Sequence, residues 1–514
     1  MFVIMLFFAY CQQTLLIDQN DDLTVWNLLV DGEYRTLIVS NPLSAALSFL
    51  YHILPAVPWY SLTLMLPFIY SYRLSLDIAD RFRTKALRFA MRSFLLLFFI
   101  IFSMNLSVTM ITVLLFVINL QNLQRNVPLF WIVTAVALLL RTDVVLGLSP
   151  LAFLTMMYLY MQKEFVWIQK AQVFAFFPMI VYCIHIALIW MDPEYARWLS
   201  FNNARAYFVD FQGMKGQVLS ELQHWVIGVW WVVDEDILPT EQIIAAAGNM
   251  WMVLYARLMH FTLPAFLQLY LLTGILMVFY SRQRTKNIFF LLMITSYLLL
   301  LVNLRDVERV VLPVTLFAII FLFYFIDEST LKSRLVSLAF LSLLILFLIP
   351  KAYQEFKESR LVSERQKNYY TELAVLTKGN QSRIAIPVFF PVFFLNLNEV
   401  FKYHRVFDEG AWPHWGRANY YVAGWLSRHP YFYRKHNISH GGIDRRFDSY
   451  YEFMMDENTT FLGGNATNID IEQTHRRLLD YYDHHKANMG CKHKIVDMNS
   501  TLNFKLVRLS VECQ

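Results

Sequence analysis

The segment MFVIMLFFAYCQQTLLI, residues 1–17, runs directly into Asp18-Gln19-Asn20-Asp21-Asp22. Ionised carboxylates are costly inside hydrocarbon, so three of them in five residues belong at or above a membrane surface. An amphipathic stretch, Leu23–Tyr51, follows, and then a second apolar run. That order places the acids on the first external loop of a polytopic protein, where a carboxylate can act as a base on a lipid-delivered substrate.

Composition agrees. Of 514 residues, 57% are hydrophobic and 16% charged, with a mean hydropathy of +0.41. Soluble domains average about 45–50% apolar and about 25% charged, so most of this chain reads as dissolved in lipid. The formal net charge of +5 is slight for the length and calls for neither nucleic acid nor a polyacidic partner. The four cysteines, Cys11, Cys183, Cys491 and Cys513, show no CxxC or other metal-ligand spacing. The first apolar run lacks basic residues and a small-residue cleavage site, so no cleavable signal peptide is expected.

A crossing helix needs about 17–25 mostly apolar residues. Eleven spans are expected, near 2–17, 57–75, 89–104, 106–121, 128–141, 146–161, 172–191, 262–281, 288–304, 310–326 and 335–350. Lys and Arg favour cytoplasmic loops. Arg81, Arg83, Lys85, Arg88 and Arg92 share one loop, and Arg125, Lys163, Lys170, Arg282, Arg284, Lys286, Lys332 and Arg334 fall on the same side. The opposite loops hold few basic residues: Arg35, Arg141, Arg305 and Arg309. The orientation that fits has the N-terminus cytoplasmic and both the Asp18–Asp22 loop and the C-terminal tail extracytoplasmic. The fold expected is thus an all-α polytopic membrane region over 1–350 and a soluble extracytoplasmic domain of mixed α and β over 351–514.

The first external loop, 18–56, reads as two short interfacial helices, about Thr24–Val30 and Pro42–Leu54, with a turn at Asp31-Gly32. The second, 192–261, is polar and rich in Trp and Tyr, a composition that also suits the headgroup belt. In the tail, Arg383–Phe394 and Asn503–Val511 look like strands and Ile471–His485 like a helix. Cys491 and Cys513 are candidates for a disulfide, as an oxidising compartment permits.

Polar groups gather at the external joints: Asp18, Asp21 and Asp22; Arg141-Thr142-Asp143; Arg205 and Asp210; and Arg305-Asp306-Val307-Glu308-Arg309. Arginine stays charged and binds phosphate through two parallel N–H donors. A carboxylate with several arginines at one membrane face can deprotonate a hydroxyl while stabilising a departing phosphate. Without such a partner each arginine is an interfacial anchor. His52 and His260 are candidates to line the same site, whereas the tail histidines, His429 among them, lack a ligand pattern and read as core or surface residues.

Asn20-Asp21-Asp22, Asn41-Pro42-Leu43 and Pro58-Trp59-Tyr60 resemble the opening of bacterial polytopic glucosyltransferases of the GtrII type, within the GT-C membrane glycosyltransferases. Leu139-Leu140-Arg141, the run from Asn203 to Asp210 and Arg305–Pro313 add to the likeness, which covers residues 1–350 in layout. The resemblance implies an inverting transfer of a sugar from a polyprenyl-phosphate donor to an O-antigen or other envelope glycan. By position, Asp21 or Asp22 becomes the general base, and Arg141, Arg205, Arg305 and Arg309 candidates for the donor phosphate. Asp210, Glu308, His52 and His260 are further site candidates. No cofactor is required, although the paired acids leave room for a divalent ion.

Three other readings share parts of the pattern, one of them a non-enzymatic assembly or anchoring protein whose tail is the working part. An envelope polysaccharide polymerase or ligase has similar spans and paired arginines but uses a polyprenyl-diphosphate-linked glycan. A lipid or glycan transporter expects ionisable residues within its spans and helices broken near the midplane. The near absence of charge within the expected spans favours the transferase.

Overall fold

The computed structural model describes residues 16–17, 25, 28–29, 32–161 (save 37, 56, 58 and 104), 176–211, 219–228, 237–246, 284–304, 308–322 and 331–377 of the helical part. In the tail it describes 383–387, 420–423, 429–431, 434, 447, 449–463, 471–485, 491–501 and 505–513. The expected spans at 2–17, in all but its last two residues, and at 262–281 lie outside these residues.

The chain enters through a two-residue strand, β1 (Leu16–Ile17), where a helix end was expected. Val25, Leu28 and Leu29 are helical and buried, and Gly32 then turns the chain with φ +85. Its N–H meets the Leu29 carbonyl at 3.2 Å while the Glu33 N–H meets that of Leu28 at 2.8 Å. This reciprocal pair is a Schellman stop, which needs a residue at ease with positive φ. An added Cβ at Gly32 would meet nothing within 4 Å, so the demand is on backbone alone.

Helix α1 (Asn41–Ile53) is the expected second interfacial helix. There follow α2 (Trp59–Ala79) and α3 (Lys85–Ser103), strand β2 (Asn105–Leu106), and α4 (Val108–Asn119) and α5 (Asn122–Arg125). Next come α6 (Val127–Leu140), α7 (Thr142–Met161) and α8 (Phe176–Trp190). The second external segment holds α9 (Pro193–Phe211), α10 (Glu221–Gly228) and α11 (Thr240–Ala246). Helices α12 (Arg284–Leu304) and α13 (Glu308–Leu322) lead to α14 (Leu331–Thr377), which runs unbroken past Pro350 and the composition change at Lys351.

The hub is α4. All of its residues are buried, and it touches α2, α6, α7 and α13. Its sequence, VTMITVLLFVIN, is apolar on every face, as a helix surrounded by helices must be. Around it, α2 and α3 lock through aromatic rings: Phe68 and Tyr72 stand 5.3 and 5.0 Å from Phe99. Along α3 the rings at Phe94, Phe98 and Phe102 meet edge to face at helical spacing. The outer faces are apolar too. Phe89, Leu343, Leu346 and Phe347 are exposed, the arrangement expected of helices bathed in lipid.

Among the described residues two helical stretches, Lys85–Ser103 and Leu331–Glu358, are long and apolar enough to cross a membrane. A third qualifies if α8 and the first part of α9, bent by 103° at Trp190–Pro193, count as one span. Shorter apolar helices at 108–119, 127–140, 142–158 and 287–297 complete the bundle.

The tail builds a five-stranded sheet in the order β4-β3-β5-β7-β6, from β3 (Arg383–Pro387), β4 (Tyr420–Ala423), β5 (Thr459–Gly463), β6 (Cys491–Ser500) and β7 (Lys505–Cys513). Strands β4, β3 and β5 run parallel, and β7 is antiparallel to both its neighbours. Two helices, α15 (Tyr450–Met455) and α16 (Ile471–His485), cover it. Leu478, Leu479 and Tyr482 from α16 are buried together with Phe461, Leu506, Val507 and Leu509 from the strands. The mixed α and β content expected of the tail is therefore present.

Helix direction sorts the loops into two ends. One holds α1, α9 to α11 and the sheet domain; the other holds the basic residues between α2 and α3. The sheet domain meets the first end directly. The Arg477 guanidinium lies 4.9 Å over the Trp225 ring, and the His429 ring stands 4.5 Å from Trp198.

In the antiparallel pair β6 and β7, Cys491 lies opposite Cys513. Directly opposed residues have Cα atoms about 4.5–5.5 Å apart, inside the range a disulfide spans. Mass spectrometry of a non-reduced digest is expected to recover these two cysteines in one cross-linked peptide pair. Two separately alkylated peptides, from protein made in an oxidising compartment, would show that the pair stays reduced.

Candidate functional site

At the end of the bundle that carries the sheet domain, four elements bring polar groups together. Arg141 closes α6 in extended conformation, its backbone N–H on the Ala137 carbonyl. Its side chain is buried, with Nε 3.0 Å from Oδ1 and Nη2 3.1 Å from Oδ2 of Asp143, in the first turn of α7. Its Nη1 donates to the hydroxyl of Thr109, at the start of α4. Alongside, the Ser40 hydroxyl donates to the Leu139 carbonyl at 2.5 Å, and the Asn41 N–H donates to Nδ1 of His185 on α8 at 3.2 Å. The segment leading to the acid cluster arrives at the same place. Ile17 pairs in parallel with Leu106, three residues before Thr109.

A second cluster sits a few residues from the first. The Schellman stop at Gly32 delivers Glu33, whose carboxylate takes Nε of Arg35 at 2.5 Å and Nη2 at 2.6 Å. Arg35 Nη1 reaches Oδ2 of Asp192 at 2.6 Å. Asp192 has two tasks, since its Oδ1 also accepts from the Tyr195 N–H at 3.0 Å and so caps α9. Asp before Pro193 is a favoured helix start, because the side chain meets an orphan N–H and proline has none to lose. Burial works to lower the Arg35 pKa, but the hydrogen bonds and charges of Glu33 and Asp192 outweigh it and raise the pKa. The Tyr195 hydroxyl donates to the Thr36 carbonyl at 2.7 Å, and burial, reinforced by the Glu33 charge, pushes its pKa up.

The tail closes this cluster. His429 is fully buried. Its Nδ1 accepts from the Tyr431 N–H at 3.1 Å, so Nε2 carries the proton and donates to the Arg35 carbonyl at 2.9 Å. Burial first, and then the Arg35 charge, hold its pKa down at about 3. Arg434 adds a contact to Glu33 Oε2 at 3.3 Å. His429 is thus a core residue, one of the two roles its sequence context allowed.

The other expected site residues are placed as follows. Arg205 is buried on α9 with Nη2 2.9 Å from Asn202 Oδ1. Asp210 closes the same helix, and Glu308 and Arg309 open α13. His52 is exposed near the end of α1. Asp21, Asp22, His260 and Arg305 lie outside the described residues. Sequence reasoning passed over Glu33, Asp192 and Thr109; of these only Asp192-Pro193 carried a local signal, that of a helix cap.

Within the sheet domain Asp483 accepts from Nδ1 of His493, whose Nε2 is 2.6 Å from the Tyr451 hydroxyl. These groups join α15 and α16 to β6, and Tyr451 meets Tyr482 at a tilt with centroids 4.6 Å apart, so they serve as a polar tie between these elements. Among the described residues no group of three or more His, Cys, Asp or Glu is placed to hold a metal ion.

By fold and site the chain is a helical bundle of membrane-protein character with a sheet domain joined to one end by the His429 hydrogen bond to Arg35, the Arg434–Glu33 ion pair and the Arg477–Trp225 contact. No family model and no curated protein matches it. Among solved structures it is similar to apo ArnT from Cupriavidus metallidurans, at a TM-score of 0.41 and 11% identity over 98% of this chain and 97% of that one. A likeness of that strength identifies neither a family nor an activity.

His429 makes the clamp acid-sensitive. A histidine held at about 3 in the folded state and near its ordinary value of about 6.5 when unfolded binds a proton more readily unfolded. The clamp's contribution is complete above pH 6.5 and is lost as pH falls toward 3, by roughly 1.4 kcal/mol per pH unit from this group. His429→Gln keeps an N–H for the Arg35 carbonyl but does not titrate. The drop in melting temperature between pH 7.5 and 4.5 should be smaller for this variant than for wild type; equal drops would remove His429 as the source.

Proposed function

We propose that this chain is a GT-C-type membrane glycosyltransferase. It moves a sugar from a polyprenyl-phosphate donor to an extracytoplasmic glycan or other envelope acceptor, with inversion. The proposal includes eleven crossings, a cytoplasmic N-terminus, a membrane domain over 1–350 and an extracytoplasmic domain over 351–514. The observation that carries it is the pairing of Ile17 with Leu106 beside the Thr109–Arg141 contact. Asp21 is four residues beyond Ile17, so covalent geometry tethers it within about 14 Å of that pairing. The strand that precedes the acids in sequence and a buried guanidinium therefore share one end of the bundle.

In the chemistry proposed, Asp21 or Asp22 takes the proton of the acceptor hydroxyl as its oxygen attacks the anomeric carbon. The bond from that carbon to the phosphate oxygen breaks, and the lipid phosphate leaves as an anion. Arg141 stabilises that anion. Its fork faces Asp143, a carboxylate with 62% of its side chain exposed. Asp143 reaches solvent, so a donor phosphate arriving from that side competes with it for the guanidinium. Arg205, Arg305 and Arg309 are further candidates for the phosphate; Asp210, Glu308, His52 and His260 remain candidates for the surrounding site. No step requires a metal.

Membranes bearing Asp21→Asn or Asp22→Asn should insert normally, and at least one variant should lose sugar transfer by about 10²-fold or more. The assay follows labelled sugar from undecaprenyl-phosphate donors into glycan. Normal transfer by both variants would remove the assigned base. Arg141→Lys keeps the charge but loses the fork, and should raise the donor KM more than it lowers the melting temperature.

A further inference from the structure

The end of the bundle away from the sheet domain carries unbalanced charge. From Arg73 on α2 to Arg92 on α3, with Arg125 of α5 beside them, seven basic residues stand against two acidic ones, Asp77 and Asp80. The whole chain has a formal net charge of +5, so this one patch holds all of the surplus. Both carboxylates are engaged within it. Asp77 accepts from Arg73, and Asp80 from Arg92 at 2.5 Å. Arg88 and Arg125 turn to the backbone: Arg88 Nη2 donates to the Phe82 carbonyl at 2.8 Å, and Arg125 Nη2 to that of Asp77 at 3.3 Å. A carbonyl satisfies the N–H groups of an arginine without neutralising its charge. Arg83 and Lys85, at the turn into α3, are exposed.

The helices set the level of this patch in the membrane. Lys85 opens the stretch Lys85–Ser103, which is long and apolar enough to cross, so its charge stands where headgroups meet hydrocarbon. Phe89 lies between Lys85 and Arg92 on one face of α3 and is 73% exposed. On α2, Leu66 and Ile69 are exposed on the side that leads to Arg73. Cationic groups thus border outward-facing apolar side chains on both helices. A soluble polyanion would leave those apolar side chains uncovered. A phospholipid meets both, its phosphate at the cationic groups and its acyl chains along the apolar stripes. We propose that this patch binds anionic phospholipid in the leaflet at that end, and that the bound lipid stabilises the α2–α3 pair. A zwitterionic headgroup brings its own cation and leaves the surplus unmet, so net negative charge is what is recognised. Lys and Arg on this side also orient the chain during insertion, but orientation requires no bound lipid. The proposal is independent of the transferase reading and uses none of the residues assigned to that chemistry.

The test uses the full-length protein in a neutral detergent, where both ends are accessible and orientation plays no part. Wild type is melted while phosphatidylglycerol, phosphatidylcholine or glycerol 3-phosphate is added. Phosphatidylglycerol should raise the melting temperature by about 4 °C or more, and phosphatidylcholine at the same concentration by less than half as much. Glycerol 3-phosphate, which has the anion without the chains, should have no effect. Salt at about 0.5 M should shrink the phosphatidylglycerol shift. Arg83→Gln combined with Lys85→Gln should need about tenfold more phosphatidylglycerol for the same rise, while melting within about 1 °C of wild type without lipid. If the double variant does not accumulate, Lys85→Gln alone should need about fivefold more.

Equal stabilisation by the two phospholipids would overturn the proposal and leave the patch as an orientation signal. An unchanged phosphatidylglycerol requirement in the variants would overturn it too, as would a rise matched by glycerol 3-phosphate, which would make this a site for soluble anions. None of these results bears on sugar transfer, which the Asp21 and Asp22 variants test separately.

Discussion

Arg35 holds a full positive charge where only a tenth of its side chain is exposed, between Glu33 and Asp192. Removing an ion from water costs several kcal/mol even after relaxation, and the site is stable only if the partners are fixed in good geometry. Each partner is fixed by something local. Glu33 follows the Schellman stop at Gly32, and Asp192 is pinned by capping α9. Deleting both carboxylates would strand the charge, at a cost of about 3–5 kcal/mol. Three distant stretches are thereby held in one arrangement, with the His429 bond to the Arg35 carbonyl joining the third to the other two.

The membrane imposes a complementary rule on the rest of the molecule. Lipid offers no hydrogen bonds, so polar groups must be paired inside the bundle or carried to its ends. Helix α4 obeys this closely. Its interior is apolar, with Thr112 turned back onto the Val108 carbonyl at 2.7 Å. Thr109 at one end meets Arg141, and Asn119 at the other donates to the Phe130 carbonyl at 2.9 Å. The hub thus has a polar group at each end, and β1 pairs with the chain just before the Thr109 end.

The same rule explains what could be read in the sequence. Apolar runs long enough to leave water are visible residue by residue, and helices stand where the second to seventh and the ninth to eleventh spans were expected. Gly32, α1, α16 and β7 were also legible, since each depends on local pattern. Arg141 drew notice because a charge after Ala-Leu-Leu-Leu must find partners. The Arg35 cluster left no such trace: Arg35 and Asp192 are 157 positions apart. Asp192-Pro193 signals a helix cap, but nothing local pairs it with Arg35. His429 was one histidine among many until the fold brought it to Arg35. Strand β6, polar along much of its length, lacked the alternation that marks a half-buried strand, and β1 sits where an apolar run imitates the end of a helix.

Asn41 and Arg35 stand six residues apart and show opposite economies. Arg35 is met by two carboxylates, whereas the buried Asn41 side-chain amide has no partner among the described residues. An unfavourable side chain persists only where its surroundings over-determine it, and here they do. The chain from Glu33 to Ser40 is bonded to Asp192, to Tyr195, to Leu139 and, through His429, to the sheet domain. The sheet domain, bonded to the Arg35 carbonyl through His429, thereby helps to fix the segment that carries Asn41.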